Sequence, residues 1–237
     1  MCKMKLPKID LPIYEAILPS SGEKVRFRAF TVKEEKIMLI AKESQEPEQI
    51  VLSIKQVIGN CLINKDIDEL AVFDLEYILL MIRGKSISNV VDFVITDPDT
   101  QEEVQLKLNV DDVRVIRDER HSNKIKLNDD YTMFMKYPNY DLYMGTIKGM
   151  VEKDPMIYYA IMISCIDRVA SSDTVYKFSD FSKEEIDQFM ENLEGDVIDK
   201  IQLFFETMPK LRHELKYVNK NKEQKTFVVE GTESFFM

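Results

Sequence analysis

The sequence predicts an α+β protein with a helical core and several antiparallel β-hairpins. Strand-like runs flank clusters of turn residues in two places, Tyr14–Arg28 and Val90–Leu108. Elsewhere apolar residues recur at the spacing of an α-helix, about 3.6 residues per turn. The chain has 237 residues, which is enough for one large domain or for two small lobes with cores of their own.

An extended arm is predicted over Lys5–Leu18. Pro7 and Pro12 lie within this segment and Pro19 follows it directly. Each proline disfavours a helical conformation in the residue before it. The arm enters a hairpin, because strand-like runs at Tyr14–Leu18 and Lys24–Arg28 flank the turn sequence Pro19-Ser20-Ser21-Gly22. Two interpretations stay open. The arm packs on the core of its own chain, or the arm or the hairpin edge docks on a partner, because an unpaired strand edge is a template for pairing.

Three helices are predicted between the two hairpins. Thr31 and Glu34 have the spacing of a capping box, in which Thr31 accepts from the Glu34 amide and the Glu34 carboxylate reaches back. Pro47 suits the first position of the second helix. The third helix is predicted to open at Phe73-Asp74, where Asp74 can cap it, and Gly84 can end it.

A polar segment without periodicity, Arg117–Lys124, predicts a boundary between two lobes. The N-terminal lobe covers residues 1–116 and holds the arm, the first hairpin, the helices and a second hairpin of Val90–Ile95 with Glu103–Leu108. The C-terminal lobe covers residues 124–237 and holds further helices and a terminal hairpin.

The predicted C-terminal lobe contains one strongly apolar helix. Met156–Val169 is apolar on almost all sides, which indicates burial in a core or in an interface. Ser182 with Glu185 is a second capping box. The other predicted elements are strand-like residues 124–138, a short strand at Thr174–Phe178, helices at Lys183–Leu193 and Val197–Glu206, and a hairpin of Leu215–Val218 with Thr226–Val229.

The charge of the chain argues against nucleic-acid binding. With a net charge of −10 and a pI of about 4.9, the surface repels the phosphates of a double strand unless its basic residues are segregated. The one basic run, Lys210–Lys225, is interrupted by Glu214 and Glu223, so we interpret it as a solvated face. The apolar runs are too short to span a bilayer and the start lacks a signal-peptide core, so we expect no membrane partner and a cytosolic location.

The sequence shows no pattern that is typical of an active site. The three cysteines, Cys2, Cys61 and Cys165, are far apart and form no CxxC, which predicts neither a disulfide nor a metal site. The two histidines, His121 and His213, are expected on the surface. Phosphate-binding loops need closely spaced glycines, and the chain has only seven. We therefore expect no enzyme activity, no metal and no cofactor.

Aromatic and methionine side chains provide the candidates for partner binding. The chain has 10 Tyr, 13 Phe and 13 Met residues, which suit an adaptable interaction surface as well as a core. The stretch Tyr131–Met150 is the strongest such candidate, with ordinary core packing as the alternative. The residues that we expect to contact a partner are Leu6, Ile9, Leu11, Ile13, Tyr14, Tyr137, Tyr140, Tyr143, Phe235 and Phe236.

Three segments carry a resemblance through their order and spacing: Leu6–Leu39, Phe73–Val91 and Met208–Phe236. The second reads FDLEYILLMIRGKSISNVV, and the third ends in a hairpin, Glu-Gly and a near-terminal Phe-Phe. In these segments the chain resembles the baseplate hub assembly protein family of T-even-type contractile-tailed bacteriophages. Some members of that family carry cysteines in the hairpin that corresponds to Val90–Leu108. This chain has none there, so a zinc site is not carried over.

The resemblance implies a chaperone-like, non-enzymatic factor that works in the host bacterial cytoplasm. Its partners would be other phage tail proteins, namely hub components and the tape-measure protein. Two alternatives stay open: a permanent structural subunit of the baseplate hub in the virion, and a small cytosolic enzyme or regulator with an unrecognised site. The oligomeric state also stays open.

Overall fold

The computed structural model describes residues 9–44, 46–142 and 155–230. It confirms the α+β class, with helices and small antiparallel sheets. The chain divides into two compact units. The first contains the described residues of Met1–Glu69, Phe73–Arg114 and Leu211–Met237, and the second contains those of Leu70–Val72 and Val115–Lys210. The predicted boundary lies close to the break after Arg114, but the described residues 211–230 fall in the first unit. The division into lobes at residues 116 and 124 stays a prediction.

The first unit contains three hairpins, and all three were predicted. The strands pair with the antiparallel registers Ile17↔Lys24, Thr96↔Glu103 and Val218↔Gln224. The elements are β1 (Ile13–Ile17), β2 (Lys24–Arg28), α1 (Val32–Ser44), α2 (Pro47–Cys61), α3 (Val72–Ser86), β3 (Val90–Thr96), β4 (Glu103–Asn109), β10 (Lys210–Val218) and β11 (Gln224–Glu230), and the short strand β5 (Arg114–Ile116) lies where the chain passes into the second unit.

Helix α3 lies in the core of the first unit. It buries apolar side chains on several sides: Leu75, Ile78, Leu79, Leu80 and Ile82 are all at 0% exposure. The predicted limits of this helix were wrong at both ends. Asp74 is its third residue rather than its cap, and its carboxylate accepts hydrogen bonds from the amide (2.9 Å) and the hydroxyl of Ser20. Gly84 does not end the helix, which continues to Ser86.

Gly84 lies at a close approach between α3 and its neighbours, and we predict that Gly84→Ala destabilises the protein. An added Cβ would lie 2.7 Å from the Asn89 Oδ1 atom and 3.3 Å from a methyl group of the buried Val110. Alanine favours helix by about 1 kcal/mol over glycine, but we expect this crowding to give a net loss of about 1–2 kcal/mol.

Gly59 provides the matched control for this prediction. It lies in α2, where an added Cβ would meet only the Ile67 Cγ2 atom, at 3.9 Å. Gly59→Ala should therefore raise the free energy of unfolding by about 0.5–1 kcal/mol. Urea unfolding followed by circular dichroism measures both variants. The same sign of change in the two would contradict the close approach at Gly84.

The second unit is built on a four-stranded antiparallel sheet in the order β6-β7-β8-β9. Its core contains Met133, Cys165, Ile166, Ile201 and Phe204. Its elements are β6 (Lys124–Lys126), β7 (Thr132–Met135), α4 (Pro155–Ser164), β8 (Ile166–Ala170), β9 (Val175–Lys177), α5 (Lys183–Glu191) and α6 (Asp196–Glu206).

The predicted helix Met156–Val169 was wrong in its second half. Helix α4 ends at Ser164, and Ile166–Ala170 forms the strand β8. This strand pairs with β7 on one side and with β9 on the other. A short apolar run cannot be assigned to a helix or a buried strand by periodicity alone, so the neighbouring strands decide.

Of the two predicted capping boxes, one is complete and the other is half formed. Ser182 and Glu185 form the full capping box at the start of α5. At α1 the Glu34 carboxylate accepts from the Thr31 amide at 2.9 Å, while the Thr31 hydroxyl oxygen accepts from the Lys33 amide at 3.3 Å. Within the part of the chain that the structure describes, no helix has the length and apolar character that crossing a membrane requires.

Candidate functional site

The backbone of β1 has one side that faces away from β2. In an antiparallel pair the directly opposed residues alternate between hydrogen-bonded and non-hydrogen-bonded pairs. The Leu18 amide donates to the Glu23 carbonyl at 2.9 Å, which continues the register Ile17↔Lys24 by one residue. Counting back from this bond, Ile13, Glu15 and Ile17 direct their N–H and C=O groups away from β2.

The far edge of β2 is covered by other residues of the first unit. Opposite Glu15, Arg26 accepts from the Ile63 amide at 3.0 Å and donates its own amide to the Asn64 Oδ1 atom at 2.7 Å. These bonds confirm that Arg26 directs its backbone outward. Since the sheet has only the strands β1 and β2 among the described residues, the edge of β1 is the open one.

An apolar stripe accompanies this open edge. Ile9, Ile13 and Ile17 are 80%, 57% and 60% exposed, and Leu11 is exposed as well. Side chains two residues apart lie on one face of an extended chain, so these positions are spaced for a common face. Ile9, Leu11 and Ile13 were predicted from the sequence. Ile17 was missed, although its spacing from Ile13 could have identified it.

A buried ion pair anchors this hairpin to α1. The Arg28 guanidinium donates to both oxygens of the Glu34 carboxylate at 3.1 Å each. Burial by itself would raise the pKa of Glu34, but the hydrogen bonds from Arg28 and Thr31 outweigh it and lower that pKa to about 2. The carboxylate is therefore charged at neutral pH and ties β2 to the first turn of α1.

The other predicted contact residues are placed differently. Tyr14 is half-buried against Phe27, with ring centroids 5.7 Å apart. Tyr137 is half-buried in an aromatic cluster, and Tyr140 is buried. The remaining predicted residues lie outside the described part of the chain: Leu6, Tyr143, Phe235 and Phe236. Partner binding by all of these residues stays a prediction.

His121 is not the surface residue that the sequence suggested. Its ring packs against those of Tyr137 and Phe204, with centroids 5.6 and 5.3 Å away. Its two nitrogens lie 2.9 Å from the Thr207 hydroxyl and from the Tyr137 hydroxyl. Burial lowers the pKa of His121, so the neutral imidazole is the form that this cluster favours. His121 is therefore a half-buried member of this aromatic cluster.

The second unit carries an aromatic cleft of about 490 Å³. Its aromatic side chains come from β9 and the turn that follows it, from α5 and from the residue before β7. Tyr176 and Phe181 pack with ring centroids 6.5 Å apart, and Phe178 meets Phe189 edge-to-face at 5.8 Å. Tyr131 adds a further aromatic wall. Tyr131, the first residue of the predicted Tyr–Met stretch, thus lines this cleft, whereas the other four aromatic residues were missed.

The helical face that lines the cleft follows a simple pattern. Ile186, Phe189 and Leu193 lie at positions i, i+3 and i+7, so one apolar stripe of α5 and its end faces the space. Among the described lining residues, the only formal charges are the carboxylates of Glu185 and Glu194. Hydrogen bonds from the amide and hydroxyl of Ser182 lower the pKa of Glu185, which is therefore ionised at neutral pH.

The described residues contain no group of three or more His, Cys, Asp or Glu side chains that could hold a metal ion. Burial raises the pKa of the Cys61 thiol to about 11 and that of Cys165 to about 12, so both are protonated and unreactive at neutral pH.

In the basic run Lys210–Lys225, two lysines are paired with carboxylates: Lys220 with Glu102 at 2.6 Å and Lys225 with Asp99 at 2.5 Å.

Comparison with known proteins gives one match. The model of a family described as T4 bacteriophage base plate protein matches residues 11–237. No curated protein and no solved structure matches the chain.

Proposed function

Because this chain belongs to the family of T4 bacteriophage base plate proteins, we propose that it is a non-enzymatic factor that assembles the baseplate hub. Its partners are other phage tail proteins, of which the hub components and the tape-measure protein are the proposed ones. It acts in the host cytoplasm while the tail is built. The family supports the baseplate setting, and the role in assembly is the proposal.

The open edge of β1 is the observation that carries this proposal. A partner strand can add to the outward N–H and C=O groups of Ile13, Glu15 and Ile17, which supplies affinity through the main chain. The exposed isoleucines of the same strand then fill pockets on the partner, which supplies specificity. Glu15 is the one charge on this strand, so the edge has little protection against pairing.

A permanent structural subunit of the hub is the second candidate, because the same edge could hold this chain in the finished particle. Mass spectrometry of purified virions, beside a pull-down from infected cells with this chain as bait, separates the two. An assembly factor is captured with tail proteins in cells and is absent from virions. A stoichiometric amount in virions would overturn the assembly role and favour the structural subunit.

The contribution of the arm is tested by removing residues 1–12. Of the deleted residues that the structure describes, Ile9 and Leu11 are exposed, so losing their side chains costs little buried area. If the arm docks on a partner, the melting temperature should stay unchanged. Capture of tail proteins should fall, because apolar contacts next to the edge are lost. A truncated chain that unfolds, or one that supports tail assembly normally, would show that the arm only covers its own core.

A proline at residue 15 tests the edge itself. The Glu15 amide points away from β2, so Glu15→Pro removes an outward donor and leaves the pairing with β2 in place. We expect normal folding and a loss of partner capture on the order of tenfold or more. Glu15→Ala is the control, because it removes the same carboxylate and its exposed ion pair with Lys24 but keeps the amide. Equal capture by the two variants would rule out strand addition at β1.

A further inference from the structure

We propose that the aromatic cleft of the second unit binds an apolar peptide segment that carries a lysine or arginine beside its apolar side chains. This is a second interaction surface, separate in the chain from the β1 edge. The assignment of the segment to another tail protein rests on the proposed function. The chemistry of the ligand rests on the cleft alone.

The aromatic walls of the cleft favour an apolar peptide segment as the ligand. Tyr176 and Phe181 are 39% and 41% exposed, although large aromatic side chains gain free energy from burial. Aromatic side chains grouped on a surface in this way are typical of protein interfaces. The volume of about 490 Å³ has room for a few side chains of a docked segment.

The charges of the cleft determine whether it favours a cationic or an anionic ligand. Glu185 and Glu194 place two carboxylates on a cleft to which the described lining residues contribute no cation. A lysine or arginine of the partner would meet these carboxylates at the rim, where it would also lie close to the aromatic rings. An anionic ligand would instead be repelled. The cleft therefore fits an apolar segment with a basic flank.

Two synthetic probes measure this preference with the purified full-length protein. The first is the fluorescein-labelled peptide Lys-Lys-Leu-Phe-Gly-Phe-Leu-Lys-Lys, and the second has glutamate in place of every lysine. Fluorescence anisotropy should show that the lysine probe binds on the order of tenfold more tightly than the glutamate probe. This readout uses no tail protein, so it can fail or succeed independently of the proposed role in hub assembly.

Variants locate the binding in the cleft. Phe181→Ser should lower the affinity for the lysine probe by about fivefold or more. Glu194→Lys should reduce the difference in affinity between the lysine and glutamate probes. The matched controls are Val94→Ser and Glu103→Lys, which change an exposed valine and an exposed glutamate in the first unit. Both controls should bind like the unaltered protein.

The proposal fails under any of three results. Equal affinity for the two probes would show that the cleft does not prefer a basic segment. Unchanged binding by Phe181→Ser places the ligand outside the cleft. Binding of neither probe favours a segment of this same chain as the occupant of the cleft.

Discussion

Replacing Glu34 with alanine is expected to lower the free energy of unfolding by about 3 kcal/mol, because it leaves a guanidinium without its buried partner. The Glu34 side chain is 1% exposed and receives both hydrogen bonds from Arg28. The Arg28 side chain is 23% exposed, so the unpaired cation keeps some contact with water. This contact places the expected loss at the low end of the range for buried pairs. Urea unfolding at neutral pH measures it.

Glu35→Ala provides the control for this variant. Glu35 lies in the same first turn of α1 but is exposed, so its loss removes only a favourable interaction with the helix dipole, about 0.3–1 kcal/mol. A loss at Glu35 as large as the loss at Glu34 would show that the ion pair with Arg28 is not the cause.

The effect of Glu34→Ala should also depend on pH. The pKa of Glu34 is about 2 in the folded protein and lies below the ordinary value of 4.5. A carboxylate with a lowered folded pKa stabilises the protein above the unfolded pKa, and that contribution is lost as the pH falls toward the folded one. The difference between the two proteins should therefore shrink on acidification from pH 4.5 toward pH 2. A difference that is independent of pH would contradict the assigned pKa.

Features that depend on neighbouring residues in the sequence were predicted well. Pro47 occupies the start of α2, and Ser182 with Glu185 forms the capping box of α5. The two early hairpins follow from turn residues between strand-like runs, and both pair as expected. In each case the hydrogen bonds close over a few residues, so the local pattern contains the information.

Features that depend on distant residues were missed. Gly84 has the signature of a helix end, but its role is set by Val110, which approaches it from beyond a β-hairpin. Ile166–Ala170 continues an apolar run, but two neighbouring strands make it a strand. The aromatic cleft joins residues from the start of β7 and from α5, more than fifty positions apart in the sequence. Besides the predicted Tyr131, the apolar stripe of α5 is the signal that could have identified it.

The open edge of β1 shows a third case, in which the sequence names the candidates but not the geometry. The sequence names Ile9, Leu11 and Ile13 as partner-contact candidates from their spacing along a proline-containing arm, and the structure shows these three side chains exposed. Which backbone groups face outward depends on the register with β2 and on the bonds that Asn64 and Ile63 make to Arg26. With that geometry known, docking at this edge can be tested by removing a single outward amide, that of Glu15.

Replacing Phe204 with alanine is expected to lower the free energy of unfolding by about 3–5 kcal/mol, the usual cost of removing a buried phenylalanine. Phe204 is 2% exposed and belongs to the same core cluster as Val169 and Val197, which line the aromatic cleft. Its ring also packs against Tyr137 and His121, at centroid distances of 5.6 and 5.3 Å. The variant leaves a cavity beside these two rings, which are held to each other by a hydrogen bond between their polar tips.

The neighbouring Phe205 supplies the matched control. It is the same residue type in the same helix, and its ring meets that of Phe204 edge-to-face at 5.2 Å, but it is only half-buried. Phe205→Ala should therefore cost about 1–2 kcal/mol, clearly below the loss at Phe204. Urea unfolding followed by circular dichroism compares the two variants under one condition. Equal losses of stability in the two variants would show that Phe204 does not hold this core together. Because Phe204 supports the core that lines the cleft, Phe204→Ala should also weaken binding of the lysine probe.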